Sequence, residues 1–230
     1  IGQLIDGGAP ELIFNSGDGV GPLVWYQWNG EEWVPNVLLD RVDHGHSLDL
    51  ADVDGDGDLD ILVAEMRLEA GDAARLHIFY GDGAGTFAAE LLATGFDNHE
   101  SQFADVDGDG DIDIVSKPFD WFTPRIDIWA NNQAAALAQD WDRVVLDTGR
   151  PERAVFVLPA DIDGDGDADL LSGPDWLINP GSVDGPWERR PIGEGLNQAV
   201  IAFDVDNDGD LDVVGSQGVG SEPNPGLVWA

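Results

Sequence analysis

Four times along the chain the same acidic nonapeptide runs straight into a short apolar segment, and this repeat restricts the fold more than any other feature. The copies are DVDGDGDLD from Asp52, DVDGDGDID from Asp105, DIDGDGDAD from Asp161 and DVDNDGDLD from Asp204. They begin 53, 56 and 43 residues apart, periods typical of stacked supersecondary units such as propeller blades. Five carboxylates in nine residues repel one another unless a cation or a dense set of donors holds them together. The fold is therefore read one repeat at a time.

After each acidic loop comes a run with the composition of a buried strand: Ile61-Leu62-Val63-Ala64, Ile114-Val115-Ser116, Leu170-Leu171-Ser172 and Val213-Val214-Gly215. An aromatic strand follows, marked by Trp25, Phe79, Trp129, Trp176 and Trp229, and beyond a Gly or Asn turn lies a second aromatic at Trp33, Phe87, Trp141 and Trp187. The strand leading into each loop completes the unit: Ser47–Ala51, Ser101–Ala104, Ala154–Val157 and Ala199–Phe203. Naming the strand before the loop A, and those after it B, C and D, gives four strands per repeat with the carboxylates on the A to B turn. The fold class that follows is all-β, a β-propeller of four-stranded antiparallel blades in which large side chains pack blade against blade. About five blades are visible, at roughly 1–43, 44–96, 97–152, 153–196 and 197–230, in a single domain that is expected to be part of a larger propeller of about seven blades. The Ala-rich stretch Asn131–Asp140 reads as a loop insertion with at most a turn or two of helix.

Asp and Glu number 46 against ten Lys and Arg, a net charge of −36, so nucleic acid and anionic membranes are repelled over most of the surface. The 43% hydrophobic content argues for a folded chain despite that charge. There is no Cys, which removes disulfides, thiolate metal sites and cysteine nucleophiles. No apolar run approaches the ~20 residues of a membrane span, and Ile1-Gly2-Gln3-Leu4-Ile5-Asp6 lacks the basic start of a signal peptide, so membrane insertion of this segment is not expected and any targeting segment lies upstream or has been removed.

Calcium takes about six to eight oxygen ligands, and a loop with Asp at positions 1, 3, 5 and 9 plus a carbonyl at 7 can wrap one ion. The four loops supply these sets: Asp52, Asp54, Asp56 and Asp60 with the carbonyl of Asp58; Asp105, Asp107, Asp109 and Asp113 with that of Asp111; Asp161, Asp163, Asp165 and Asp169 with that of Asp167; and Asp204, Asp206, Asp208 and Asp212 with that of Asp210. An EF-hand would need an acid at position 12, where Val63, Ser116, Ser172 and Gly215 stand instead. Zinc is disfavoured without Cys or local His, and magnesium seldom receives so complete a protein cage. The expectation is four structural calcium ions, which would take the net charge from −36 to −28.

These loops, with Trp25-Tyr26-Gln27-Trp28-Asn29-Gly30 and Trp176-Leu177-Ile178-Asn179-Pro180-Gly181, resemble the FG-GAP or VCBS-type repeats of integrin α-subunit propellers and secreted bacterial proteins. The resemblance covers nearly the whole chain. It implies a calcium-braced propeller, extracellular (secreted or cell-surface), used for adhesion, sugar binding or, in some polysaccharide lyases, catalysis. One departure stands out: the first loop, near Gln3–Leu12, keeps only Asp6 and Glu11 as acids, which puts calcium there in doubt.

The D to A and B to C loops would form the face opposite the acidic turns. Six residues before the first Asp of each loop stand His46, His99, Val155 and Gln198, and eight before stand His44, Asp97, Arg153 and Leu196. The B to C loops add Glu65, Arg67, Lys117, Trp121, Asp175 and Gln217. A sugar could meet Trp121 by stacking and Arg67, Lys117 or Arg153 through a carboxylate, with His46 and His99 between neighbouring blades. The reading that follows is a binding module for carbohydrate or an extracellular protein. Its alternatives are a polysaccharide lyase using His46, His99 and Arg153, and a protein-binding adhesin.

Overall fold

The computed structural model describes residues 1–66, 73–119, 125–132, 141–147, 154, 156–218 and 224–230. Their regular structure is β throughout, as expected, in antiparallel sheets of which three have four strands. The Ala-rich stretch 133–140 lies outside the described residues. The chain divides into two compact units, Ile1–Phe103 and Ala104–Ala230.

In the first unit β1 (Leu12–Phe14), β2 (Val20–Trp28) and β3 (Trp33–Asp43) form one sheet in chain order, and β4 (Gly45–Ala51), β5 (Asp60–Glu65), β6 (Arg75–Gly81) and β7 (Phe87–Thr94) form the next. The A strand of the first sheet is reduced to a single bridge between Gly2 and Glu11. The boundary between the units falls within β8 (Glu100–Ala104), which begins the third sheet, continued by β9 (Asp113–Lys117), β10 (Arg125–Asn131) and β11 (Trp141–Asp147). The second unit goes on with β12 (Leu158–Ala160), β13 (Asp169–Ser172), β14 (Asp175–Ile178) and β15 (Glu188–Pro191). It ends with the three-stranded sheet of β16 (Gln198–Phe203), β17 (Asp212–Ser216) and β18 (Leu227–Trp229). One strand differs from the sequence reading: the A strand of the fourth sheet is β12, four residues beyond the start expected at Ala154. Its ladder reaches only from Leu158 opposite Leu171 to Ala160 opposite Asp169, and its middle residue, Pro159, has no N–H to donate.

The second strand of each four-stranded sheet is buried at every position, which is why these segments read as continuous apolar runs rather than alternating ones. Within each unit the cores lie between successive sheets. Ile13, Leu23 and Trp25 of the first sheet meet Ile61, Val63 and Phe79 of the second. In the second unit Val115, Ile126 and Ile128 meet Leu170 and Leu177, while Leu171 and Trp176 meet Ala199 and Val213. Numbered from the first residue of the preceding loop, position 10 (Ile61, Leu170, Val213) faces the sheet before, and position 11 (Ile13, Val115, Leu171) faces the sheet after.

That register divides the C-strand aromatics, which the sequence presents as one class. Trp25, Trp176 and Trp229 pair with position 11, opposite Ile13, Leu171 and Val214. Phe79 and Trp129 pair with position 10, opposite Ile61 and Ile114. One residue of difference in a strand moves a side chain to the other face, so the two groups lie on opposite faces of their sheets.

Candidate metal centres

Each acidic loop is held by its own carboxylates before any ion is considered. The first Asp accepts a hydrogen bond from the backbone N–H of position 6: Asp52 Oδ2 from Gly57 at 3.0 Å, and Asp105, Asp161 and Asp204 from Gly110, Gly166 and Gly209 at 3.1 Å. The fifth accepts from position 7, as Asp109 Oδ1 does from Asp111 N at 2.9 Å, with Asp56, Asp165 and Asp208 alike. Bending the chain this tightly puts positions 4 and 6 in the left-handed region. Gly57, Gly110, Gly166 and Gly209 have φ of 98°, 96°, 102° and 103°, and position 4 is Gly in three loops and Asn207, at φ 62°, in the fourth. Asn is among the few other residues that adopt this conformation readily.

The ninth Asp is a strut. One oxygen of Asp60 accepts from Val53 N at 2.7 Å and the other from Gly81 N, at the end of β6, at 2.8 Å. Asp113 repeats this with Val106 N and Asn131 N, both 2.8 Å, and Asp169 with Ile162 N at 3.3 Å, Asn179 N at 2.7 Å and the Trp176 indole at 2.8 Å. Asp212 accepts from Val205 N at 2.9 Å. In the first loop Glu11, fully buried, accepts from Leu4 N at 2.8 Å in the same way. The strut thus outlasts the metal-type acids: positions 1, 3 and 5 there are Gln3, Ile5 and Gly7, and the Gln3 amide donates to the carbonyls of Ile5 and Gly7.

Three carboxylates converge in each of the other loops, each offering an oxygen within 4.8 Å of the rest: Asp52, Asp54 and Asp60; Asp105, Asp107 and Asp113; Asp161, Asp163 and Asp165; Asp204, Asp206 and Asp212. Asp56, Asp109, Asp208 and Asp169 stand outside these groups, as do Asp58, Asp111, Asp167 and Asp210, whose backbone carbonyls are the expected ligands. The donor set suits a hard cation, being all oxygen. Asp52 Oδ1 and Asp107 Oδ1 are moreover buried with no hydrogen-bond donor against them, which a bound cation would satisfy.

Electrostatics point the same way. Burial, then the neighbouring carboxylates, hold Asp54, Asp107, Asp163 and Asp206 above the usual range, so the third position is raised in every loop. Burial also lifts Asp60 to about 6 and Asp113 to about 7, although two backbone N–H bonds pull each back down. A divalent ion among these groups would replace repulsion with attraction.

On the opposite ends of the strands the sequence-derived ligand residues fall into different situations. His46 and His99 come together: their rings lie 4.9 Å apart, tilted by 36°, and His46 Nε2 is 2.9 Å from Asp18 Oδ1, a partner with no signal in the repeat alignment. His44, with φ 49°, places its Nδ1 2.6 Å from Asp43. Glu65 is buried and accepts from Asp43 N and from Arg75 through Nε and Nη2. Lys117 is buried too, donating to the Pro118 carbonyl at 3.3 Å, and belongs to the second unit. Arg67, Trp121 and Arg153, like Val155, lie outside the described residues.

Comparison with known proteins gives three findings. The chain resembles the crystal structure of the V. cholerae biofilm matrix protein Bap1 with a TM-score of 0.46 and 15% identity, covering 89% of this chain and 34% of that one. It therefore spans about a third of the length of that protein. Curated protein sequences give no match. Residues 7–63, which include the first complete acidic loop and the strand after it, match the FG-GAP-like repeat family. Residues 7–63 thus resemble an FG-GAP-like repeat, and the same loop and strand recur three more times along the chain.

Proposed function

We propose that this chain is an extracellular, calcium-braced module of β-propeller type whose face opposite the acidic loops binds carbohydrate or another extracellular partner. Each sheet is one blade, with boundaries near 1–43, 44–96, 97–152, 153–196 and 197–230, and each of the four complete loops holds one calcium ion. The observation that carries the calcium reading is the convergence of three carboxylates in each loop, within 4.8 Å, together with a raised third carboxylate in all four. Positions 1, 3 and 9, with position 5 and the carbonyl of position 7, complete an oxygen set of the size calcium takes. The net charge of −36 supports an extracellular setting, where millimolar calcium keeps such loops filled. Isothermal titration of the decalcified chain should count four calcium ions; no binding at millimolar calcium would defeat the reading.

The binding face is supported by His46, His99 and Asp18, which bring two imidazoles and an exposed carboxylate to one place. Donors and acceptors in such a cluster suit the hydroxyls of a neutral sugar. Incubation with a panel of polysaccharides decides among the readings. Retention without cleavage supports a binding module, release of unsaturated products would make it a lyase, and no retention would leave protein-mediated adhesion.

A further inference from the structure

We propose that His77 is an acid-sensitive latch between the first and second sheets: while neutral it is part of the core that joins them, and on taking a proton it loosens that packing. His77 stands in β6 opposite Val63 of β5 and two residues before Phe79, which is opposite Ile61, so all four share one face. This is the face through which Ile61, Val63 and Phe79 meet Ile13, Leu23 and Trp25 of the first sheet. The His77 ring lies against Phe79, with centroids 5.8 Å apart and planes tilted by 31°. Only 9% of the residue is exposed, and both ring nitrogens are buried without a hydrogen-bond partner. The neutral ring packs there as a largely apolar body. An imidazolium would bring a charge and two N–H donors into the same place, with nothing to accept them.

The charged groups around His77 supply no counter-ion. Arg75, on its own strand, is positive. The Glu65 carboxylate of β5 already accepts from Arg75 Nε and Nη2 and from Asp43 N. β3 is tied to this cluster through the Arg41 carbonyl, which accepts from Arg75. Its charged residues there, Arg41 and Asp43, pair with each other at 2.8 Å, and Asp43 also holds His44. On β7, Glu90 takes the Tyr80 hydroxyl at 2.8 Å, and β1 and β2 carry no charged residue. Burial, then the Arg75 charge, hold the imidazole below its ordinary 6.5, against weaker pulls from the Glu90 main chain and from Glu65. The unfolded chain therefore binds a proton near 6.5 that the packed state resists. The stability contributed by neutral His77 is full above that pH and is lost as the pH falls below it.

The test is hydrogen exchange read by mass spectrometry on the chain in calcium, at about pH 7.5 and about pH 5.5, corrected for the intrinsic exchange rate. In the wild type the amides of β2 and β6 should lose protection on acidification, by up to about tenfold per pH unit below 6.5, while those of β13 and β14 in the second unit keep theirs. His77→Leu, which takes no proton, should hold its protection in β2 and β6 at both pH values. His77→Gln, polar but neutral, should do the same and serves if the leucine variant does not fold. Wild type and variants share every acidic loop, so any loss of calcium in acid moves them alike and is told apart from the latch. The proposal is overturned if the wild type keeps its protection in acid, or if the variants lose it as fully as the wild type does. On the wild type alone, an NMR titration should find the His77 imidazole protonating below 6.5; protonation at or above that value overturns the proposal whatever the variants do.

Discussion

Asp107 and Asp113 stand six residues apart in one loop and have different tasks. Asp113 accepts two buried backbone N–H groups, whereas Asp107 carries a buried oxygen with no donor. Asp113→Ala leaves both N–H groups unpaired and should cost on the order of 3 kcal/mol already without calcium, and more with it, since position 9 also belongs to the proposed ligand set. Asp107→Asn should leave the metal-free melting point unchanged or slightly higher, because it relieves repulsion, while weakening calcium binding by tenfold or more, on the order of 1.4 kcal/mol. Thermal melts and calorimetric titration of the two variants separate strut from ligand. The raised pKa values of Asp60, about 6, and Asp113, about 7, give a second expectation. In the metal-free chain the folded state binds protons that the unfolded state, near 3.8, has lost, so that contribution is full below pH ~3.8 and is lost as pH rises through 6 to 7. Metal-free stability should therefore fall between pH 5 and 8 and calcium-loaded stability should rise, which paired melts across that range would check. The acidic positions of these loops were legible because charge at a fixed spacing leaves few other uses. The strut role was not, since Asp reads the same whether it accepts from an N–H or binds an ion; only Glu11, kept where the other acids are lost, hints at it.

At the level of the strands, Asp127 in β10 is fully buried and held by Arg125 Nε at 3.0 Å and Arg143 Nη2 at 2.6 Å, from its own strand and from β11. Asp127→Ala leaves two half-buried guanidinium groups without their carboxylate and should cost about 3–5 kcal/mol, read from the denaturant midpoint. The strands themselves were readable: a run such as Ile61-Leu62-Val63-Ala64 between an Asp loop and an aromatic has few alternatives to a doubly buried strand. Which way each aromatic faces was not readable, because Phe79 and Trp25 differ by one residue of register and nothing local marks it. The same holds for the charged residues near the strand ends. Glu65 and Lys117 look like rim residues until their partners in space are known, while His46 and His99 were paired by equal offset from their loops alone.

Across the whole molecule, the proposed calcium sites would tie stability to the loops that join A to B in sheet after sheet. Calcium that binds only the folded chain stabilises it by mass action, with a gain that grows as the logarithm of concentration over Kd for each site. Sequence repetition made this arrangement of equivalent loops legible. The most direct measurement of the central claim is the thermal midpoint of the chelator-stripped chain as calcium is added back, with magnesium as the control. The midpoint should climb with calcium and much less with magnesium. A midpoint that stays where it was through millimolar calcium would contradict that claim.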